Sequence, residues 1–129
     1  MVTLDSGASC HMTENINLLR DIHEVLPIEV QLPNGAYTSA IKRGFAYLSP
    51  NITLKDVLYV PKLNCNLISV GQLIDDLSCI VTFTNQHCVI QDLISRSPIG
   101  VGESKRGVYY FKDKPAAAIQ VNQVSSYEL

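Results

Sequence analysis

One short run near the start of the chain has the residue types and the order needed for acid–base chemistry. Leu4 leads directly into Asp5, Ser6, Gly7 and Ala8. A carboxylate at the end of an apolar strand needs hydrogen-bond partners, and a hydroxyl followed by a glycine backbone can supply them. If a second aspartate met Asp5 in a dry cleft, the two carboxyls would share a proton. Such a pair can activate water and polarise a carbonyl, so the run suggests peptide hydrolysis.

The second aspartate of such a pair must come from another copy of the chain. The remaining aspartates do not stand in Asp-Ser-Gly or Asp-Thr-Gly; they are Asp21, Asp56, Asp75, Asp76, Asp92 and Asp113. A two-fold dimer places one residue against its own copy at the axis. The alternative is a plain turn, since Asp, Ser and Gly each favour turns for local reasons. The tripeptide by itself therefore favours a turn over a catalytic site.

The elements that must position Asp5 are mostly strands. Short apolar and β-branched runs bounded by Pro, Gly and Asn predict a mainly β domain. The predicted strands are residues 1–4, 28–32, 36–41, 45–48, 52–54, 57–60, 80–84, 88–93, 99–101 and 108–111. Residues 33–35, with Asn before Gly, predict a hairpin turn. The spacing predicts one helix over 69–77, beginning around 71–72, and a helical or irregular segment over 15–25.

Composition fits a single domain and narrows the function classes. A length of 129 residues suits one domain that gains from dimerisation. A net charge of −2 gives no basic surface for nucleic acid, and no apolar run is long enough to span a bilayer. The four cysteines read as reduced thiols in a cytoplasmic protein. We therefore expect no nucleic-acid partner and no membrane.

A zinc site and a thiol nucleophile are the competing chemical interpretations. Cys10, His11, His87 and Cys88 are residue types that bind zinc, but adjacent Cys-His pairs are poorly spaced for chelation by one loop. The same residues could be read as a Cys–His nucleophilic pair, although no third orienting group stands at a recognisable position. Both readings are weaker than a buried thiol beside a hydrogen-bonded histidine. We therefore predict no metal and no cofactor.

Several runs, in the same order, resemble the aspartic protease region of copia-type LTR retrotransposon Gag-Pol polyproteins. They are LDSGASCHMT at 4–13, VQLPNG at 30–35, LKDVLYVP at 54–61, NLISVGQL at 66–73 and GVYYF at 107–111. The resemblance implies a retropepsin-like acid protease fold, with a small closed β-barrel-like half, a flap hairpin and one short helix. Residues 1–113 would form this domain. Residues 114–129 would form a flexible tail leading to the next polyprotein segment.

The resemblance also assigns roles to individual residues. Asp5 would be catalytic, in a homodimer whose active site lies at the two-fold axis. The active-site loop would be supported by Ser6, Gly7 and Ala8, with the Ser6 hydroxyl bonding across the dimer. The flap would carry Pro33, Asn34 and Gly35. The apolar-apolar-Gly element behind the site would be Ser69, Val70 and Gly71, with Ser69 departing from the apolar pattern.

Substrate and location follow only from the same resemblance. The expected substrate is the Gag-Pol polyprotein, including the protease itself, inside cytoplasmic virus-like particles. Candidate residues for lining the peptide site are Leu32, Ile41, Val60 and Val70. Retroviral relatives carry further strands before the catalytic aspartate, so we expect the strands of residues 80–111 to take their place. The alternative is a non-catalytic or domesticated relative that keeps the fold as a dimerisation or peptide-binding module.

Overall fold

The computed structural model describes residues 1–112, which form ten strands, one α-helix and one short 3-10 helix. The strands are β1 (Val2–Asp5), β2 (Met12–Thr13), β3 (Arg20–Gln31), β4 (Tyr37–Ser49), β5 (Ile52–Tyr59), β6 (Asn66–Ser69), β7 (Cys79–Phe83), β8 (His87–Asp92), β9 (Pro98–Lys105) and β10 (Val108–Lys112). The helix α1 spans Val70–Leu77. The expected tail at 114–129 lies outside the described residues. The prediction of a mainly β domain with one short helix is confirmed.

All ten strands belong to one sheet, in the order β3-β4-β5-β2-β6-β1-β10-β9-β8-β7. β3 and β7 are its edges, so the sheet is open, whereas a closed barrel-like half was expected. β6 lies between β1 and β2: it pairs in parallel with β1 and antiparallel with β2. The chain therefore leaves β1, crosses the end of β6 as a loop, and returns on the other side as β2.

The hairpin predicted around residues 33–35 joins β3 to β4. The amide of Gly35 donates to the Leu32 carbonyl at 2.9 Å, and the Leu32 amide donates to the Ala36 carbonyl at 2.7 Å. Gly35 has a φ of 87°, as expected for the glycine that follows a tight turn in a three-residue hairpin loop. The positive φ belongs to Gly35, and Pro33 before it supplies a fixed φ for the turn.

The predicted helical or irregular segment at 15–25 is mostly wrong. Only Ile16–Leu18 forms a 3-10 helix, capped by the Asn15 side chain, which accepts from the Asn17 amide at 3.0 Å. The strand β3 begins at Arg20 and pairs along the length of β4. Cross-strand pairing therefore overrides a local spacing that was compatible with a helix.

The helix α1 begins where a side chain caps it. Ser69 is the N-cap residue, and its Oγ accepts from the Gln72 amide at 3.1 Å. Ser78 ends the helix in the left-handed region, with a φ of 48°. The prediction of a helix over 69–77 is confirmed, with Ser69 as the cap rather than a helical residue.

Two hydrophobic cores support the loop that follows β1. The first core joins β1 to the helix and the meander, and contains Leu4, Leu19, Ile52, Leu54, Val57, Ile68, Val70, Leu73, Cys79, Cys88 and Ile90. The second core lies under the β3–β4 hairpin, and contains Met12, Val30, Leu32, Ala40, Leu58, Val60, Leu63 and Leu67. Leu4 enters the first core and Met12 the second, so the loop between them is held at both ends.

The strands β7 to β10 form an antiparallel meander that curls. β7 and β10 are separated by two strands in the sheet, yet the rings of Phe83 on β7 and Tyr109 on β10 meet edge to face, with centroids 4.9 Å apart. The Tyr109 hydroxyl also donates to the Thr84 carbonyl. Curling of the meander therefore brings both its ends to one place.

Candidate active site

Asp5 is the last residue of a central strand and lies at the surface of the protomer. β1 is flanked by β6 on one side and by β10 on the other. Leu4 is buried, Asp5 is half-buried, and Ser6 and Gly7 are exposed. The rigid part of the sheet thus delivers a carboxylate to a place that a peptide or a second chain can reach.

The loop after β1 orients the Asp5 carboxylate. The amide of Gly7 donates to Asp5 Oδ1 at 2.7 Å, a short charge-assisted hydrogen bond that satisfies one carboxylate oxygen. A Cβ added at Gly7 would lie 3.3 Å from the same oxygen. Glycine therefore allows the backbone to approach the carboxylate closely, as the sequence led us to expect for this position.

Ser69 ties the loop to the strand and helix behind it. Its hydroxyl donates to the Ala8 carbonyl at 2.8 Å and also accepts the capping bond from Gln72. Ser69 is fully buried, so the two bonds satisfy a hydroxyl that water does not reach. The departure from the apolar-apolar-Gly pattern thus has a physical reason, because an apolar residue could make neither bond.

His11 closes the same hydrogen-bond network. Its Nδ1 accepts from the Ser69 amide at 3.0 Å, and its own amide donates to Gln72 Oε1 at 3.0 Å. Because Nδ1 accepts, the neutral ring carries its hydrogen on Nε2. The side-chain amide of Gln72 continues the network to the Lys55 carbonyl at 2.6 Å. The sequence analysis assigned His11 no role near Asp5. Its position shortly after Asp5 in the sequence could have indicated that it packs against the same loop.

The environment of His11 favours the neutral ring. Burial lowers the pKa of His11 from 6.5 to about 4, while the negative charges of Asp76 and Asp56 oppose the shift. Protonation would place a hydrogen on Nδ1, which could then no longer accept from Ser69. The loop network is therefore intact at neutral pH and is lost in acid.

We expect His11 to make the fold sensitive to acid between pH 6.5 and 4. The unfolded chain takes up a proton on His11 near pH 6.5 and the folded chain only near pH 4, so stability falls as pH falls through that window. In urea unfolding at several pH values, the wild type should lose roughly 2 to 3 kcal/mol more than His11→Asn between pH 7 and 4. The asparagine oxygen can replace Nδ1 as acceptor without titrating.

The comparison uses the change in unfolding free energy with pH, because His11→Asn also leaves a smaller side chain in a packed site. Carboxylates that do not interact with His11 titrate alike in both proteins, so their contributions to the pH dependence cancel. Parallel stability curves for the two proteins across this range would show that His11 is not the group that titrates.

Within residues 1–112, the structure places His11 and Cys88 in settings that do not suit the competing zinc and thiol sites. Among residues 1–112, no group of three or more His, Cys, Asp or Glu side chains is placed to hold a metal ion. His11 uses Nδ1 to accept from Ser69. Burial raises the pKa of Cys88 to about 12, so its thiol stays protonated and a poor nucleophile at neutral pH.

A cavity of about 450 Å³ opens beside Asp5. It is lined by β1 and the start of the loop, by the end of β7, and by the β9–β10 turn with the start of β10; the lining residues are Thr3, Leu4, Asp5, Ser6, Phe83, Gly107, Val108 and Tyr109. Sequence reasoning missed the meander residues of this lining, because strand pairing brings Val108 and Tyr109 to β1 and the curl of the meander brings Phe83. The pairing of β10 with β1 places a strand of residues 80–111 beside the strand that carries Asp5; that the meander replaces the strands of retroviral relatives stays a prediction.

The residues proposed from sequence to line the peptide site were mostly wrong. Leu32, Val60 and Val70 belong to the two cores and are buried, so they present no surface to a ligand in this protomer. Ile41 is exposed on β4. The apolar character of these residues reflects core packing.

The hairpin turn of Pro33, Asn34 and Gly35 is exposed, while the base of the hairpin packs in the second core. This combination of an anchored base and an exposed tip is what a mobile lid requires. In the sheet, the strands β5, β2 and β6 lie between this hairpin and β1. A flap role for the turn stays a prediction.

These features define a class of protein. It is a mainly β domain in which β1 and β6 are parallel, an Asp-Ser-Gly loop follows β1, and that loop is bonded to the start of α1, which follows β6. The family model described as "Pol polyprotein, beta-barrel domain" matches residues 2–78. The chain therefore belongs to the Pol polyprotein beta-barrel domain family. The match covers β1 to α1 and leaves out the meander.

Two curated relatives are retrotransposon Pol polyproteins. The chain is 30% identical over 123 residues to a retrovirus-related Pol polyprotein from transposon RE2 of Arabidopsis thaliana, covering 92% of this chain and 8% of the relative. It is 31% identical over 111 residues to the corresponding polyprotein from transposon RE1 of the same plant, covering 82% of this chain and 8% of the relative. The chain thus corresponds to a small region of a retrotransposon Pol polyprotein.

No solved structure matches the chain significantly. The one α-helix among residues 1–112 has eight residues, too few to cross a membrane.

Proposed function

We propose that the chain is one subunit of a dimeric aspartic endopeptidase that cleaves the retrotransposon Gag-Pol polyprotein, including itself, within virus-like particles in the cytoplasm. The observation that carries the proposal is the Asp5 loop. A half-buried carboxylate at a strand end accepts a hydrogen bond from the Gly7 amide and lines a cavity, and buried Ser69 holds the following loop through its bond to the Ala8 carbonyl. The turn interpretation explains the bond from the Gly7 amide to Asp5, which is an Asx turn, but it gives no reason for a cavity beside the carboxylate.

The exposure of the loop supports a shared site. A single carboxylate can either act as a base or hold a proton. Hydrolysis of a peptide by a water molecule, without a covalent enzyme intermediate, needs both functions at once. A two-fold axis beside the loop would bring a second Asp5 to the first. Ser6 and Gly7 are exposed in the single chain, as they must be if a partner covers them. The Ser6 hydroxyl would then bond across the axis and brace the two loops.

The chemistry follows from one proton shared by two carboxyls. Gly7 holds Oδ1, so we assign the shared proton to the Oδ2 side. The ionised Asp5 takes a proton from water, and the hydroxide oxygen bonds to the peptide carbonyl carbon. The protonated Asp5 donates to the carbonyl oxygen as charge develops there. A proton then passes to the amide nitrogen, the C–N bond breaks, and a carboxyl and an amine leave.

The test is cleavage of a proteome-derived peptide library by the purified chain at mildly acidic pH, read by mass spectrometry. We expect discrete cleavage sites that a pepstatin-type inhibitor abolishes and that iodoacetamide leaves unchanged, because no thiol takes part. Cleavage blocked by iodoacetamide would assign the reaction to a cysteine instead. A well-folded protein that cleaves nothing over the whole pH range would favour the non-catalytic, peptide-binding module.

A further inference from the structure

His11 is buried between the loop that follows Asp5 and the start of the helix. Its side chain is 1% exposed, and its Nδ1 accepts from the Ser69 amide at 3.0 Å. Ser69 is also fully buried, so no water is at hand to replace the imidazole as the acceptor for that amide. The proposed mechanism gives His11 no part in the chemistry, yet the ring holds a residue next to Asp5.

Ser69 lies directly beside Asp5 in the sheet. The strands β1 and β6 are parallel, with Asp5 opposite Ser69. On the other side of β6, Met12 of β2 pairs with Leu67, and the ring of His11 extends the contact between these two strands to Ser69. The end of β6 is therefore held between the strand that carries Asp5 and a side chain from the far end of the Asp5 loop.

Hydrogen bonds connect His11 to the Asp5 carboxylate through the backbone of the loop. His11 holds the Ser69 amide, and the Ser69 hydroxyl donates to the Ala8 carbonyl at 2.8 Å. Gly7 directly precedes Ala8, and its amide donates to Asp5 Oδ1 at 2.7 Å. A shift of Ser69 therefore moves the two loop residues that set the direction of the carboxylate, and supporting contacts of this kind fix the position of a functional group.

The backbone of His11 is held independently of its ring. The His11 amide donates to Gln72 Oε1 at 3.0 Å, and Gln72 is fixed in turn by its own bond to the Lys55 carbonyl at 2.6 Å. Because the first bond uses the backbone of His11, a change of side chain leaves this donor in place. Substitution of the ring thus removes the contact with Ser69 and keeps the attachment to the helix.

The charged groups around His11 decide when Nδ1 stops accepting. The titratable and charged side chains on the elements around it are Asp5 on β1, Cys10 in the loop, Arg43 on β4, Lys55 and Asp56 on β5, and Asp75 and Asp76 on α1. Asp76 and Asp56 favour the protonated ring, but burial outweighs them and lowers the pKa of His11 to about 4. As the pH falls through that value, Nδ1 becomes a donor that faces the Ser69 donor.

We propose that His11 is a positioning residue for the Asp5 carboxylate, and that protonation of its Nδ1 releases the Asp5 loop and stops peptide cleavage in acid. The inference rests on the proposed protease function, since cleavage is the activity that the position of the loop would control. His11 is buried and does not line the cavity beside Asp5, so its effect passes through Ser69 and Ala8. The acid limb of the pH–rate profile is then set by His11 rather than by the carboxyl pair.

The first test compares kcat and KM of variants on one library peptide at about pH 6, where the His11 ring is neutral. His11→Asn keeps an acceptor for the Ser69 amide, and its kcat should stay within about threefold of the wild type. His11→Ala removes the acceptor, so kcat should fall at least about tenfold with KM unchanged, because a displaced catalytic group slows the chemical step. His23→Asn is the matched control, since His23 is exposed on β3; it should equal the wild type.

The pH profile separates positioning from a general loss of stability. The wild-type kcat should fall on the acid side with a midpoint at about pH 4. His11→Asn does not titrate and should stay active to lower pH, with the alkaline limb unchanged. Near-ultraviolet circular dichroism restricts the comparison to pH values at which both proteins are folded, and this comparison decides if His11→Ala does not fold.

An acid limb at the same pH in the wild type and in His11→Asn would overturn the inference and leave the protease assignment intact. A folded His11→Ala variant with the wild-type kcat would do the same. Either result would mean that the contact between His11 and Ser69 does not control the carboxylate.

A third measurement needs no cleavage. In labelled protein, the amide resonances of Ser69 and Ala8 should move together as the pH falls through about 4, because the bond to Nδ1 is lost. His11→Asn should abolish this transition and His23→Asn should preserve it. If the transition occurs in a protein that cleaves nothing at any pH, the protease proposal fails and the catalytic role of His11 fails with it, while its hold on the loop stands. If the Ser69 resonance does not follow His11, the inference is wrong whatever the cleavage assay gives.

Discussion

The Asp5→Asn variant is expected to cleave no peptide while keeping the wild-type fold. Asparagine has nearly the same shape, and its side-chain oxygen can still accept from the Gly7 amide, which donates to Oδ1 at 2.7 Å in the wild type. An amide can neither take a proton from water nor hold one for the carbonyl oxygen. Loss of both functions should lower the rate by at least about 10³-fold.

The measurement has two parts, made on the same preparations. Cleavage of the library is quantified for wild type and variant, and the urea midpoint of unfolding is determined for each. Asp21→Asn is the matched control, because it removes one carboxylate from an exposed residue of β3. The φ of Asp21 is 54°, in a region that asparagine tolerates. This control should keep full activity.

If Asp5→Asn cleaves peptides at the wild-type rate, Asp5 takes no part in the mechanism. The Asp-Ser-Gly loop would then not be an active site. If Asp5→Asn is inactive and also has a much lower unfolding midpoint, Asp5→Glu decides whether the activity was lost with the carboxylate or with the fold. That variant retains a carboxylate, and we expect it to keep the wild-type unfolding midpoint but to be inactive too, because the extra methylene displaces the carboxyl from the proposed two-fold axis.

Local sequence signals were sufficient for elements whose causes are local. The hairpin at 33–35 needs one glycine with a positive φ, and Gly35 supplies it. The helix needs a cap, and Ser69 lies at the right place. Each of these depends on neighbours within a few positions, which is why spacing and residue type predict them.

The features that were missed depend on contacts between distant parts of the chain. Tyr109 pairs with Leu4 across more than a hundred positions, and no local pattern signals which of ten strands will be neighbours. The same applies to Ser69, whose hydroxyl bonds Ala8 on another element. In the sequence Ser69 is only a departure from a pattern, whereas in the structure it joins the helix to the loop that follows Asp5.

The apolar residues proposed for the peptide site show the limit most clearly. Val60 and Val70 are as apolar as Phe83 and Val108, but the first two are buried in the cores and the last two face a cavity. Hydrophobicity by itself does not distinguish a core residue from a binding residue. The distinction comes from the sheet order, which places β10 beside β1.

Mixing wild-type chains with inactive chains should reveal whether one site needs two subunits. With Asp5→Asn in ninefold excess and subunits allowed to exchange, only about a tenth of the wild-type chains find a wild-type partner. If both carboxyls are required, the rate per wild-type chain therefore falls about tenfold. Mixed pairs contain one carboxyl and one amide, which cannot share a proton.

Two controls separate this result from simple competition for substrate. Peptide is kept in large excess over total chain, so that inactive dimers cannot deplete it. Mixing immediately before the assay, without time for exchange, should leave the rate high and let it decline as pairs form. An unchanged rate after full exchange would mean that each chain acts alone. Asp5 would then need its proton partner within the same chain, where the remaining aspartates lack the Asp-Ser-Gly setting. A tenfold fall would make the exposed loop of the single chain half of an active site.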